Sequence, residues 1–129
     1  MEKIPCDSLI YRAIKSKSWI KNGVSANAFI LRRETKDGTP EKELSVITKA
    51  ECTKDKCYAN QNTCFGEIKI LTENIRQLGF DVVDRKLENN QYHAVIVDLP
   101  LNTEDTIEEA ERIAGLIAKK VVGIQNRPQ

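Results

Sequence analysis

Leu9, Ile10, Tyr11 and Ile14 crowd the short run Ser8 to Ile14, a length and side-chain mix that predict a strand. Lys15 to Gly23 is polar apart from Trp19 and Ile20 and closes on Asn22-Gly23, so it is expected to be an exposed connection. The next run, SANAFILRR from Ser25, fits either one to two turns of helix capped by that serine or an extended piece. Thr35 to Pro40 holds Asp-Gly and a following Pro and reads as a loop. Glu43 to Thr48 alternates as a strand.

Lys49 to Thr63 is polar with little to bury, and is expected to be a loop or a short exposed helix. Phe65, Ile68, Leu71, Ile75 and Leu78 recur at helical spacing, while Glu67 to Leu71 alternates as a strand; the strand is the favoured reading, after which Thr72 is expected to cap a short helix ending at Leu78. Gly79 would leave that helix in left-handed geometry and Phe80 fold back on the core. Phe80 to Lys86 and Tyr92 to Asp98 are two β-rich runs joined through Asn89-Asn90, the clearest hairpin in the chain. Leu99-Pro100 ends it. A helix opening at Asn102 or Thr103 follows, with acids at its start and Lys119-Lys120 near its end, the charge order that suits a helix dipole. Ile107, Ala110, Ala114, Ile117 and Val121 form its apolar stripe, expected to lie on the hairpin, and Gly123 and Pro128 release the tail. The sum is one α+β domain over residues 1–129, a mainly antiparallel sheet with a C-terminal helix packed on it.

At 129 residues the chain can bury a core without disulfides or metal, yet has no room for a second domain, which excludes two-domain enzymes. Its 20 basic and 19 acidic residues leave a net charge of +1, which argues against a uniformly basic nucleic-acid coat. The polar start lacks a secretion signal, and no run approaches the ~20 apolar residues of a membrane span. A cytoplasmic protein with reduced thiols at its four cysteines is therefore expected, with no membrane partner.

Cys52, Cys57 and Cys64, with Cys6 or His93 as a fourth ligand, have the donors for tetrahedral zinc. The spacing lacks the close pairs that point two sulfurs at one ion, so neither metal nor cofactor is expected. His93, the one histidine, sits on a strand with its side chain opposite to Tyr92 and Ala94. It is either a hydrogen-bonded structural residue or a base, if Asp98, Ser45 or Arg12 reaches it. Glu67-Ile68-Lys69 resembles the E-x-K element of metal-dependent restriction-type nucleases, which implies metal held by Glu67 with Asp55 or Asp37 upstream. Two further acid-x-Lys triplets, at Glu34 and Asp84, put that motif at background. Tyr11-Arg12, Ser45 and Glu109-x-Glu111 loosely resemble the Arg, Ser, Glu set of mono-ADP-ribosyltransferases, which implies action on a nicotinamide nucleotide. Glycine-rich phosphate loops, G-x-S-x-G and H-E-x-x-H are absent from the sequence.

Charge is uneven along the chain: the first 33 residues carry seven Lys or Arg against Glu2 and Asp7. Arg12, Lys15, Lys17 and Lys21 surround Trp19 in sequence, and Arg32-Arg33 follow. An indole amid cations suits an acidic protein surface or a nucleic acid. The leading expectation is a non-catalytic binding or regulatory module whose contacts are these seven residues. The alternative is a small enzyme acting on nucleic acid or a nucleotide, nuclease-like or ADP-ribosyltransferase-like. Convergence of Arg12, Ser45, Glu67 and His93 in one concave site would favour catalysis.

Overall fold

The structure, a computed structural model, describes residues 3–51 and 64–126. The expectation for Lys49 to Thr63, together with Cys52, Asp55 and Cys57, falls largely outside those residues. Six strands form one sheet: β1 Leu9–Ala13, β2 Leu44–Ile47, β3 Gly66–Leu71, β4 Asp81–Asp84, β5 His93–Val97 and β6 Gly123–Asn126. Their order is β4-β5-β2-β1-β3-β6, and every neighbouring pair is antiparallel. The α+β reading with an antiparallel sheet is what the chain adopts.

Alternation gives the sheet two unlike faces. One carries Ile10, Ile14, Leu44, Val46, Ile68, Ile70, Val82, Ala94 and Ile96, all within the buried core. Helix α2, Ile107–Lys119, adds Ile113, Ala114 and Ile117 to that core. The short 3-10 turn Ala26–Phe29 adds Ala28 and Phe29 and packs directly against α2. Ser25 caps this turn by accepting from the Asn27 amide at 3.1 Å, which settles the ambiguous segment as a single helical turn. A second 3-10 turn, Lys17–Ile20, lies within the expected connection. The other face of the sheet carries Tyr11, Ala13, Ser45, Lys69 and His93, as the register pairs require.

Four sequence expectations need correction. Helix α1, Thr72–Gln77, begins at Thr72, whose side chain is fully buried and whose hydroxyl lacks a hydrogen-bond partner among the described residues. The capping comes from backbone instead: the Thr72 and Glu73 amides donate to the Ser8 and Cys6 carbonyls, each at 3.0 Å. The helix exit is as expected, with Gly79 at φ 94° and Phe80 packed against the core. Helix α2 starts at Ile107, several residues after Asn102 and Thr103. A turn comes first, in which the Thr106 and Ile107 amides both donate to the Thr103 carbonyl, and the Thr106 hydroxyl donates to the Leu101 carbonyl rather than capping. The buried stripe on α2 is Ala110, Ile113, Ala114 and Ile117: Ile113 joins it, Ile107 at the first position is only half-buried, and the helix ends before Val121. Gly123 does not release the tail: Gly123–Asn126 joins the sheet as β6, registering Ile124 with Ile68. Four residues are too few for alternation to stand out from a loop.

Candidate functional site

The sheet loosens at its centre. Whereas β1 pairs with β3 along five residues, β1 and β2 register only at Tyr11↔Ile47. The Arg12 side chain occupies the loosened seam. Its Nη1 donates to the Ser45 carbonyl and its Nε to the Ala28 carbonyl, both at 3.0 Å, so a guanidinium serves a strand carbonyl where a ladder amide otherwise would. Its charged group also lies 5.6 Å from the centre of the Trp19 ring.

A cleft of about 600 Å³ opens along this seam. Tyr11, Ala13 and Lys15 form one wall, and Ser45, Ile47 and His93 the other. The hairpin connection from Leu87 to Tyr92 supplies a rim of amides and a phenol, and Glu51 stands at the margin. Within the cleft, His93 Nδ1 lies 2.8 Å from the Arg85 carbonyl and Nε2 lies 3.1 Å from Ser45 Oγ. A carbonyl only accepts, so Nδ1 carries the hydrogen. In the neutral ring Nε2 is then the acceptor, and the Ser45 hydroxyl donates to it.

Electrostatically the cleft is uneven. The Lys15 ammonium is held below its ordinary pKa, first by burial and then by the positive charges of Arg12 and Arg32, with Glu41 opposing. Glu51 is pushed up, by burial and by the negative charge of Glu67. Glu67 is fully buried, and its Oε2 accepts from the Glu51 amide at 3.1 Å.

The seven expected contact residues divide. Arg12 is buried, at 8 % exposure, and Trp19 is half-buried against the core. Lys15 lines the cleft, while Arg32 is exposed and pairs with Glu41 at 3.2 Å. Lys17, Lys21 and Arg33 are exposed, with the Lys17 ammonium 5.4 Å from the centre of the Phe65 ring. Of the four residues whose convergence mattered, Arg12, Ser45 and His93 meet around Ser45. Glu67 lies below the margin, reached through the Glu51 amide.

The other candidate sets separate. Glu109 and Glu111 are exposed on α2, Glu109 bound to Arg112, so the Arg, Ser, Glu set is joined only at Arg12 and Ser45. Asp37 is held in its exposed loop by the Thr35 and Thr39 hydroxyls, which lower its pKa to about 2. Cys6 accepts from Arg76, and the buried Cys64 thiol donates to the Gly66 carbonyl at 3.3 Å. Among the described residues no three His, Cys, Asp or Glu side chains gather to hold a metal ion, and no helix is long and apolar enough to cross a membrane. Sequence reasoning missed Glu51 and the Asn89 to Gln91 rim. The polar tip of a predicted hairpin beside a strand histidine was the available signal for the rim.

Comparisons with protein-family models, with curated proteins and with solved structures find no match for this chain.

Proposed function

We propose that the cleft takes up a small anionic molecule of the nucleoside phosphate class. The observation that carries this reading is that one cavity of about 600 Å³ is lined together by the cations Arg12 and Lys15, the aromatic side chains Tyr11 and Tyr92, and the amides Asn89, Asn90 and Gln91. That volume lies within the range of small-molecule sites. A phosphate beside Lys15 would interact favourably with that ammonium, which burial first and the charges of Arg12 and Arg32 second hold below its ordinary pKa, and with Arg12, which lines the same cleft. Tyr11 offers an aromatic side chain to a base, Tyr92 is a weaker candidate because the Lys49 ammonium already lies 5.0 Å from the centre of its ring, and Asn89, Asn90 and Gln91 offer donors and acceptors to the base edge.

The test is a calorimetric titration with AMP, ADP and adenosine at two salt concentrations. The phosphates should bind at least tenfold more tightly than adenosine, weaken with salt, and lose tenfold or more on Lys15→Ala. Equal binding of adenosine and AMP, or no saturation by millimolar nucleotide, would refute the reading. A second reading, docking of a nucleic acid or acidic protein, draws on exposed Lys17, Lys21, Arg32 and Arg33. It requires an oligonucleotide or acidic peptide to bind more tightly than any mononucleotide, with a steeper salt dependence.

A further inference from the structure

We infer that Ser45 and His93 form a nucleophile and base for acyl transfer, and that the substrate is a carboxylic ester bearing an anionic group. The anionic part of this assignment rests on the ligand reading above; the pairing rests on geometry alone. Ser45 faces Val95 and Ile47 faces His93 across β2 and β5, so Ser45 and His93 are diagonal neighbours on the open face of the sheet. Their 3.1 Å separation lies within the reach a general base needs, and the Arg85 carbonyl at 2.8 Å fixes the tautomer that leaves Nε2 free to accept a proton. Both side chains are half-buried and both line the cleft, so the hydroxyl is sheltered yet open to a ligand. Arg12 is a positioning residue: its hold on the Ser45 carbonyl fixes the strand that carries the hydroxyl. Lys15, two residues beyond Ala13, lines the same cleft and supplies the cation for the substrate's anionic group.

The chemistry balances without an oxidant or a metal. Ser45 Oγ bonds to the ester carbonyl carbon as its proton passes to His93 Nε2. The adduct collapses with cleavage of the ester C–O bond, and the departing alkoxide takes that proton from Nε2. Water then attacks the acyl-serine and gives a proton to Nε2. The Oγ–acyl bond breaks, Oγ recovers the proton, and the carboxylic acid leaves.

An uncharged fluorophosphonate tests the pair, because Oγ–P bond formation with loss of fluoride needs the same deprotonation of Ser45. The expected result is one adduct on the folded protein, mapped to Ser45, absent from Ser45→Ala and formed at least a hundredfold more slowly in His93→Asn. Asparagine can still donate to the Arg85 carbonyl but cannot take the serine proton. Far-ultraviolet circular dichroism checks the fold of each variant, and the wild-type protein alone decides whether an adduct forms. No adduct with excess probe, an adduct at another residue, or equal rates in wild type and His93→Asn would overturn the assignment. The probe carries no anionic group, so labelling without nucleotide binding would refute the ligand class and leave the pair standing. Nucleotide binding without labelling would do the reverse. A p-nitrophenyl ester with an anionic acyl chain then tests the substrate class: it should turn over faster than p-nitrophenyl acetate, and an equal or slower rate would reject the anionic preference.

Discussion

Replacing Arg12 by methionine keeps most of the apolar stem and removes the guanidinium, which isolates the role of the group that spans the loosened seam. Two hydrogen bonds from a charged donor, to the Ala28 and Ser45 carbonyls, disappear. Each such bond contributes about 1.5–3 kcal/mol. The stacking on Trp19 adds about 0.5–1 kcal/mol. The carbonyls recover part of this by relaxing or by admitting water, so the expected net loss is about 3 kcal/mol. For a chain of 129 residues the unfolding entropy is about 0.27 kcal/mol per degree, which turns that loss into a fall in Tm of about 11 °C. Urea unfolding read by circular dichroism gives the free energy. The emission of Trp19, the sole tryptophan, reports on its own environment in the same samples. Arg12→Lys should fall between the two, since one ammonium cannot serve both carbonyls with the same fork geometry. A loss below about 1 kcal/mol for Arg12→Met, with unchanged tryptophan emission, would refute the view that the guanidinium ties β1, β2 and the Ala26–Phe29 turn together.

Two further predictions follow from local geometry. Gly79→Ala should cost about 1 kcal/mol by denaturant titration. Nothing lies within 4 Å of the added methyl, so the whole effect comes from φ 94°, and no change would contradict the left-handed exit of α1. Asp81 is held down to about 2, first by the Arg76 hydrogen bond at 2.8 Å, opposed by burial, then helped by Lys3 at 3.1 Å. A carboxyl with a depressed folded pKa contributes stability that is fully present above its ordinary value of 3.8 and is lost as pH falls through about 2. Asp81→Asn should therefore flatten the acid limb of stability measured between pH 5 and pH 2, and an unchanged slope would count against the Arg76 partnership.

Much of the sheet was legible because its strands alternate over enough residues to define a face. The Phe80 to Asp98 hairpin and the Glu67 to Leu71 strand emerge within a residue or two of their sequence-based limits at most ends. Elements that depend on a distant partner were not. β6 needs the free edge of β3 to be a strand at all, and Thr72 is displaced from its capping role by carbonyls of Cys6 and Ser8 more than sixty residues upstream. The candidate site was legible as a set of residues, Arg12, Ser45 and His93, but not as an arrangement. Charge patterning placed Arg12 among surface cations, whereas its position on β1 in phase with Ile10 and Ile14 turns it toward the core side, where carbonyls left by the seam can satisfy it. The alternation that correctly aimed His93 away from Ala94 carried no information about which strand would lie beside it.

The strand order has a kinetic corollary. Only β4 and β5 join segments close in the chain, while β1 with β3, β2 with β5 and β3 with β6 each bring together residues roughly 50–60 positions apart. Closing such loops must precede the burial that rewards it, so folding in milliseconds to seconds is expected rather than microseconds. Until β1 is inserted between β2 and β3, both of those strands have an unsatisfied edge. The transient species most prone to self-association is then one with the β4–β5 hairpin formed and the centre of the sheet still unfilled.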